Sequence, residues 1–310
     1  MRITGESHDF LDLSDNVRMS LLSACVNNPL DPLEPVDPLA PVAPLDLDLI
    51  NAALGANASR LSVELVDSCP STNTLLLSLA QNGAPSGRVV LCENQTAGRG
   101  RRGRTWHSAP GDSLTFSLLW RFTSARPPNS VEPLSGLSLA VGLAVARALE
   151  HLGISDVQLK WPNDILLAEK KLGGILVETR TTNTTLTAVI GIGLNVRPPT
   201  LTSAPSVATL EAASISSAVP TAPSRNILLA TVLNELTVML DIFSSTGFTG
   251  FAEAWNARHA YNGRSVRVLA ERVPPVEGRC VGVESDGALL LETKTGVCRI
   301  VSGEVSLRPL

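Results

Sequence analysis

Glu93 to Gly111 reads ENQTAGRGRRGRTWHSAPG. It sets four arginines (Arg99, Arg101, Arg102, Arg104) among three glycines (Gly98, Gly100, Gly103), straight after the apolar run Arg88–Cys92. A strand that empties into a Gly/Arg loop offers backbone N–H groups and guanidinium forks to an anion. Alone, such a loop fits a solvated basic turn or a nucleic-acid tail just as well, so its neighbours decide. Upstream stands Ser71-Thr-Asn73. Downstream come Leu159-Lys-Trp-Pro-Asn-Asp164 and Lys171-Leu-Gly-Gly-Ile-Leu-Val-Glu178. The chain has no G-x-x-x-x-G-K-[ST] loop, which disfavours a P-loop ATPase.

Working outward, Ser71 or Thr72 caps a helix whose apolar side is Leu75, Leu76, Leu79 and Ala80, ended by Gly83. Strands are expected at Arg88–Glu93, Ser113–Phe122, Gln158–Trp161, Ile165–Ala168, Gly174–Glu178 and Leu186–Ile192. Helices are expected over Leu134–Leu152, Ser224–Phe243 and Thr249–Arg258, with a short one near Thr209–Ala213 inside the loop Pro198–Pro223. Helices follow runs of strands without strict alternation, which predicts an α+β fold on one mixed sheet. After Tyr261-Asn-Gly263 the texture changes to short β runs at 265–269, 278–283, 288–292 and 297–301, split by turns such as Asp286-Gly287. That pattern predicts a small β-barrel over residues 263–310, behind a main domain over 51–262.

The first fifty residues differ from the rest. They hold two basic and nine acidic side chains, a net charge of −7, so the remaining 260 residues carry +3 of the overall −4. Proline recurs every third residue from Pro29 to Pro44, the period of polyproline II, and such a segment cannot form a helix-turn-helix. Residues 1–50 therefore read as an acidic, Pro-rich arm. Five widely spaced cysteines without a C-x-x-C pair predict free thiols in a reducing compartment. Four scattered histidines argue against a protein-bound transition metal. The start of the chain lacks the basic and apolar regions of a signal peptide, and Leu137–Leu149 is too short to span a bilayer. A cytoplasmic protein is expected.

Taken together and in this order, these motifs resemble the biotin protein ligases over roughly residues 60–310. The resemblance implies a mixed-sheet catalytic domain of the biotin/lipoate ligase type, followed by an SH3-like barrel. It also implies a reaction in which biotin's carboxylate and ATP, carried with Mg2+, give biotinoyl-5′-AMP and pyrophosphate. Biotin then passes to one lysine of a biotin carboxyl carrier domain, such as that of acetyl-CoA carboxylase, without specific DNA and without a membrane.

On that resemblance, Ser71, Thr72, Asn73 and Gln95 would hold biotin's ureido ring, since hydroxyls and amides supply both donors and acceptors to a urea. Arg99, Gly100 and Arg101 would form the ligand loop, with Arg101 on the adenylate phosphate and Arg99 on both ligands. Lys160 would stand between carboxylate and α-phosphate, making Lys160 and Arg101 the expected catalytic groups. Trp106 and Asn195 would meet adenine. Gly98, Gly103, Gly174, Asn163 and Asp164 would support the site, the last two also as candidates near magnesium. Arg102 and Arg104 stay unassigned. Asn94, Thr96 and His107 depart from the family's usual lid residues without removing a required charge. Two alternatives remain open: a lipoate or octanoate ligase or transferase of the same fold, and an Arg/Gly nucleic-acid-binding protein. A biotin-responsive repressor would need a helix-turn-helix ahead of the catalytic domain.

Overall fold

A computed structural model describes residues 43–123, 134–181, 185–199, 211–270, 273–301 and 305–309. Nearly all of the acidic, Pro-rich arm lies outside them. Chain order is α1 (Leu47–Leu54), β1 (Ser62–Cys69), α2 (Thr72–Gln81), β2 (Arg88–Gln95), β3 (Ser113–Thr123), α3 (Leu137–His151), β4 (Val157–Lys160) and β5 (Asp164–Leu167). Then follow β6 (Lys170–Thr181), β7 (Thr185–Asn195), α4 (Arg225–Thr246), α5 (Ala252–Asn256) and β8–β12 (Ser265–Ala270, Val273–Val283, Leu289–Thr293, Gly296–Ile300, Val305–Pro309). The first seven strands form one mixed sheet in the order β1-β2-β3-β7-β6-β5-β4, with β1 and β2 parallel. The last five form a separate antiparallel sheet, β11-β10-β9-β8-β12. The α+β class and the two-sheet division agree with the sequence reading.

The two faces of the large sheet do different work, and strand alternation divides them. Phe116, Leu118, Trp120, Ile190, Ile192 and Leu194 belong to the main buried core together with α1, α3 and α4. Residues in between, such as Ser117, Thr115, Gly191 and Gly193, face α2 and the Arg/Gly loop. A small apolar cluster of Leu76, Val90, Leu119 and Val189 seats α2 on that second face.

Helix α4 is long and apolar enough by length and composition to cross a membrane. Here its residues Leu228, Leu229, Val232, Leu233, Leu236, Leu240 and Phe243 are buried in the core. At about 1.5–3 kcal/mol for each such side chain, that packing explains its place. Ser224 caps it, its hydroxyl accepting from the Ile227 N–H at 3.3 Å. The buried ion pair of Arg225 with Glu93 (2.6 and 2.8 Å) ties the start of α4 to β2.

Three expectations change. Among the described residues α1, ahead of residue 51, already packs into the core: Asp46 accepts from the N–H groups of Asp48 and Leu49, and Ile50 is fully buried. β1, an edge strand of half-exposed residues, carries too weak an alternation to read from sequence. The short helix near Thr209–Ala213 is absent from its described part: Ala212 pairs with Lys171 beside β6, and the single helical turn comes later, at Ile215–Ser217.

The small sheet is locked to the large one at the Asp286-Gly287 turn. The Trp161 indole N–H donates to the Gly287 carbonyl (3.1 Å), and Ser135 Oγ donates to the Asp286 carbonyl (2.6 Å). Gly287 has φ +86°, and a Cβ there would come within 2.8 Å of Gly136 Cα, so only glycine fits this contact. At the same junction His259 is buried beside Trp255 and Cys280, and burial pulls its pKa from 6.5 down to about 4. The unfolded chain takes a proton near pH 6.5, while the folded one resists until about pH 4. Stability is therefore full above the unfolded value and falls as pH drops between the two. The expected loss between pH 7 and pH 5 is about 2 kcal/mol. Denaturant midpoints of the wild type and His259→Gln at both pH values check this, and the variant should show a shallower drop.

Candidate active site

Three clusters meet on the second face of the sheet. The first lies where α2 starts. Ser71 is the N-cap residue, but its side chain makes no capping bond, so the expected cap gives way to a buried hydroxyl at the sheet edge. The Thr72 N–H donates to Gln95 Oε1 at 2.8 Å. Ser117 Oγ lies 2.7 Å from Thr72 Oγ1 and 2.6 Å from Asn73 Oδ1. Asn73 Nδ2 in turn donates to Glu178 Oε2 at 2.9 Å. Five buried or half-buried polar side chains from four elements are thus aimed at one another. Gly191 makes this possible: a Cβ there would lie 2.2 Å from Asn73 Oδ1.

The second cluster is the Arg/Gly loop itself, folded into a small closed turn. Gly100 N–H donates to the Arg104 carbonyl (2.7 Å), and Trp106 N–H to the Gly98 carbonyl (2.9 Å). Arg99 grips Glu178 with both guanidinium nitrogens (2.9 and 3.2 Å), which anchors the loop to β6. Arg102 takes φ 60°, ψ 38°, next to Gly103 at φ +65°. Residues 97–105 and Leu176 frame a cleft of about 630 Å³. The Trp106 indole lies over β7, since a Cβ on Gly193 would come within 2.4 Å of it. Gly174 lies beneath the same ring and beside Lys171.

The third cluster is cationic. Lys160, on the end of β4, is 3% exposed, and its Nζ donates to Asp164 Oδ2 at 3.2 Å. Lys171 Nζ donates to Asp164 Oδ1 at 2.6 Å, and its side chain is 34% exposed. Burial works to raise the Asp164 pKa, but the ammonium groups of Lys171 and Lys160 outweigh it and hold the carboxyl below its usual value. Burial lowers the Lys160 pKa against the pull of Asp164, with Arg308 and Lys171 pushing the same way as burial. The half-buried Arg101 also lies in the field of Asp164 and is likewise lowered, by burial first. From the small sheet, Arg308 feels Arg104 and Asp164. Tyr261 carries Lys160 Nζ 5.8 Å from its ring centroid and the Arg264 guanidinium 5.9 Å from it. Asp164 is the carboxylate that Lys160, Lys171, Arg101 and Arg308 share, and such crowding favours an anionic ligand.

The sequence-selected residues Ser71, Thr72, Asn73, Gln95, Arg99, Gly100, Arg101, Trp106, Lys160 and Asp164 therefore come together on one face. Two others do structural work. Asn163 Nδ2 donates to the Ile175 carbonyl (2.9 Å), pinning the turn before β5 to β6. Asn195 Nδ2 spans the carbonyls of Ala213 (3.0 Å) and Lys171 (3.3 Å). Both oxygens of Asp164 are taken by lysines, and among the described residues no three His, Cys, Asp or Glu side chains gather as a metal site.

Sequence reasoning passed over Ser117, Glu178, Lys171, Tyr261 and Arg308. Lys171 and Glu178 flank a Gly-Gly pair, a signal of close approach on that strand. Nothing local marks the other three, because they reach the site only through strand pairing and domain docking.

Residues 65–195 match the profile of the biotin/lipoate A/B protein ligase family, and residues 262–308 match the biotin protein ligase C-terminal domain. The chain is 34% identical over 251 residues to the bifunctional ligase/repressor BirA of Escherichia coli, covering 80% of this chain and 74% of that protein. It is 32% identical over 256 residues to the biotin–[acetyl-CoA-carboxylase] ligase of Mycobacterium tuberculosis, covering 81% and 91%. The solved structure of a biotin protein ligase from Aquifex aeolicus in complex with biotin and ATP is similar at TM-score 0.66 and 31% identity, over 80% of this chain and 99% of that one.

Proposed function

The chain belongs to the biotin/lipoate A/B protein ligase family, and on that premise we propose how its three clusters divide the chemistry of a biotin protein ligase. The enzyme takes biotin and ATP as substrates and modifies a biotin carboxyl carrier protein. The observation that carries the mechanism is the convergence of Arg101, Lys160 and Lys171 on Asp164, beside the polar cluster and beneath the loop. Ser71, Thr72, Asn73 and Gln95, with Ser117, would pair the ureido group, and Glu178 would fix both Asn73 and Arg99.

In the first half-reaction a carboxylate oxygen of biotin attacks the α-phosphorus of ATP, and pyrophosphate leaves with the electrons of the broken P–O bond. Two anions must approach one another, so the barrier is electrostatic. Lys171, the more exposed of the two lysines, would stand between them, with Lys160 behind it and Arg101 closing from the loop. The same turn of Arg99–Arg104 would cover the mixed anhydride and keep water from it. Trp106 supplies an aromatic wall for the adenine, while the amide of Asn195 is committed to backbone carbonyls and would act by holding the Ala213 segment beside it. Arg308 and Arg264 would extend the cradle toward the outer phosphates. Because both Asp164 oxygens are engaged, Mg2+ would enter on the ATP phosphates. In the second half-reaction the carrier lysine Nζ attacks the acyl carbon, an N–C bond forms, and AMP departs.

The proposed domain scheme is an acidic arm, a catalytic domain that includes α1, whose Ile50 and Leu54 are buried, and a C-terminal barrel from about residue 263. A ligase without operator binding fits the proline repeat of the arm, and the free thiols Cys69, Cys92 and Cys280 suit a reducing cytoplasm. Incubating the full chain with biotin, MgATP and a biotin carboxyl carrier domain, then weighing the carrier, tests the proposal. A mass gain of one biotinyl group on a single lysine is expected; no gain on any carrier domain refutes it. Lipoate offered in place of biotin should give no gain.

A further inference from the structure

Between the ureido cluster and Trp106 lies a side chain to which none of this chemistry gives a role. Thr115 sits on β3 two residues before Ser117, so both point to the ligand face, about 7 Å apart along the strand. It is 5% exposed, and its Oγ1 is buried without a hydrogen-bond partner. Thr115 pairs directly with Gly193 of β7, and such opposed residues carry their Cβ positions about 5 Å apart on one face. The Cβ position of Gly193 is where the Trp106 ring lies, 2.8 Å from Nε1, and that indole N–H is buried and unpartnered as well. A buried hydroxyl without a partner is costly, and here it lies on the ligand face, beside the Trp106 ring that takes up the space Gly193 leaves.

We infer that Thr115 is a specificity-determining residue of the biotin subsite, whose hydroxyl donates a hydrogen bond to the thioether sulfur of the bicyclic ring. This rests on the ligase reading above. If the ureido group lies against Thr72, Asn73 and Ser117, and the carboxylate points toward Lys171, the fused sulfur ring falls between them, over Thr115. A thioether is a weak acceptor, so the contact contributes modestly to affinity. Its value lies in discrimination: desthiobiotin has the same ureido ring and acid chain but no sulfur, and would leave the hydroxyl unpaired.

The test compares dissociation constants of biotin and desthiobiotin, measured by calorimetry without ATP, for the wild type, Thr115→Val and Thr115→Ser. Valine keeps the shape of threonine and removes the donor. Biotin binding should weaken about three- to tenfold in Thr115→Val, desthiobiotin should be unchanged or slightly tightened, and Thr115→Ser should retain most of the wild-type preference. Should the valine variant fail to fold, Thr115→Ala is read against the same ligand pair, since lost packing affects both ligands and a lost donor affects only biotin. Equal changes for the two ligands, or no change for either, overturn the assignment and leave the ligase reading intact. A wild type that binds neither ligand refutes both.

Discussion

Lys171→Ala should depress formation of the biotinyl adenylate on the order of a hundredfold, the scale seen when one preorganised donor to a developing charge is removed. The side chain is 34% exposed, so its loss should leave the fold intact. Lys160→Ala should slow the same step comparably but also lower unfolding stability by about 2 kcal/mol, because it removes a buried, charged hydrogen bond. Pyrophosphate release reads the first half-reaction, and denaturant unfolding reads the second effect. Chemically made biotinyl adenylate should restore biotin transfer by both variants, since carrier attack on a preformed mixed anhydride no longer needs two anions brought together. A Lys171→Ala enzyme that releases pyrophosphate at the wild-type rate, or one that the adenylate cannot rescue, would show that the lysine pair does not serve that step.

Arg101→Gly should separate making the intermediate from keeping it. Arg101 reaches from the loop into the field of Asp164, whereas the lysines stand on the sheet. Its removal should still allow adenylate to form but shorten its residence about ten- to a hundredfold, as expected for one lost charge-assisted contact to phosphate. The escaping anhydride would acylate exposed lysines at large. A streptavidin blot of the variant, incubated with biotin, MgATP and unrelated proteins, should show labelling of bystanders and of the enzyme itself. Labelling confined to the carrier, or no adenylate at all, would assign Arg101 to the chemical step instead.

The parts of this site that could be read in the sequence are those contributed by contiguous motifs. Ser71-Thr-Asn73, the Arg/Gly loop and the Lys160–Asp164 turn each announce themselves by unusual composition at an element boundary. Lys171 hides in plain view. Only the β5–β6 pairing, with its irregularity between Ile165 and Leu166, brings Lys171 alongside Asp164 rather than leaving it as a surface lysine at a strand start. Ser117 and Thr115 look like ordinary small polar residues until the register sets them opposite Gly191 and Gly193. Asn195 illustrates the reverse: a polar residue closing a Gly-rich strand suggests a ligand contact, yet its donors go to backbone carbonyls. β1 escaped because an edge strand with mixed burial carries little alternation, and β12 because five residues at the edge of the small sheet are too short a run to read.

Strand β12 couples the two sheets through charge. Arg308, which enters the field of Lys160 and Asp164, is held by the antiparallel pairing of β12 with β8 from Val305 to Pro309. The small sheet therefore meets the large one by an electrostatic link as well as by the Asp286-Gly287 turn. Fraying of β12 would draw a positive charge away from Asp164 while the large sheet stays folded. On the proposed mechanism, the small sheet then acts as a tuning element, and a variant that loosens this strand pair would bind its ligands with a weaker pull on their anionic ends.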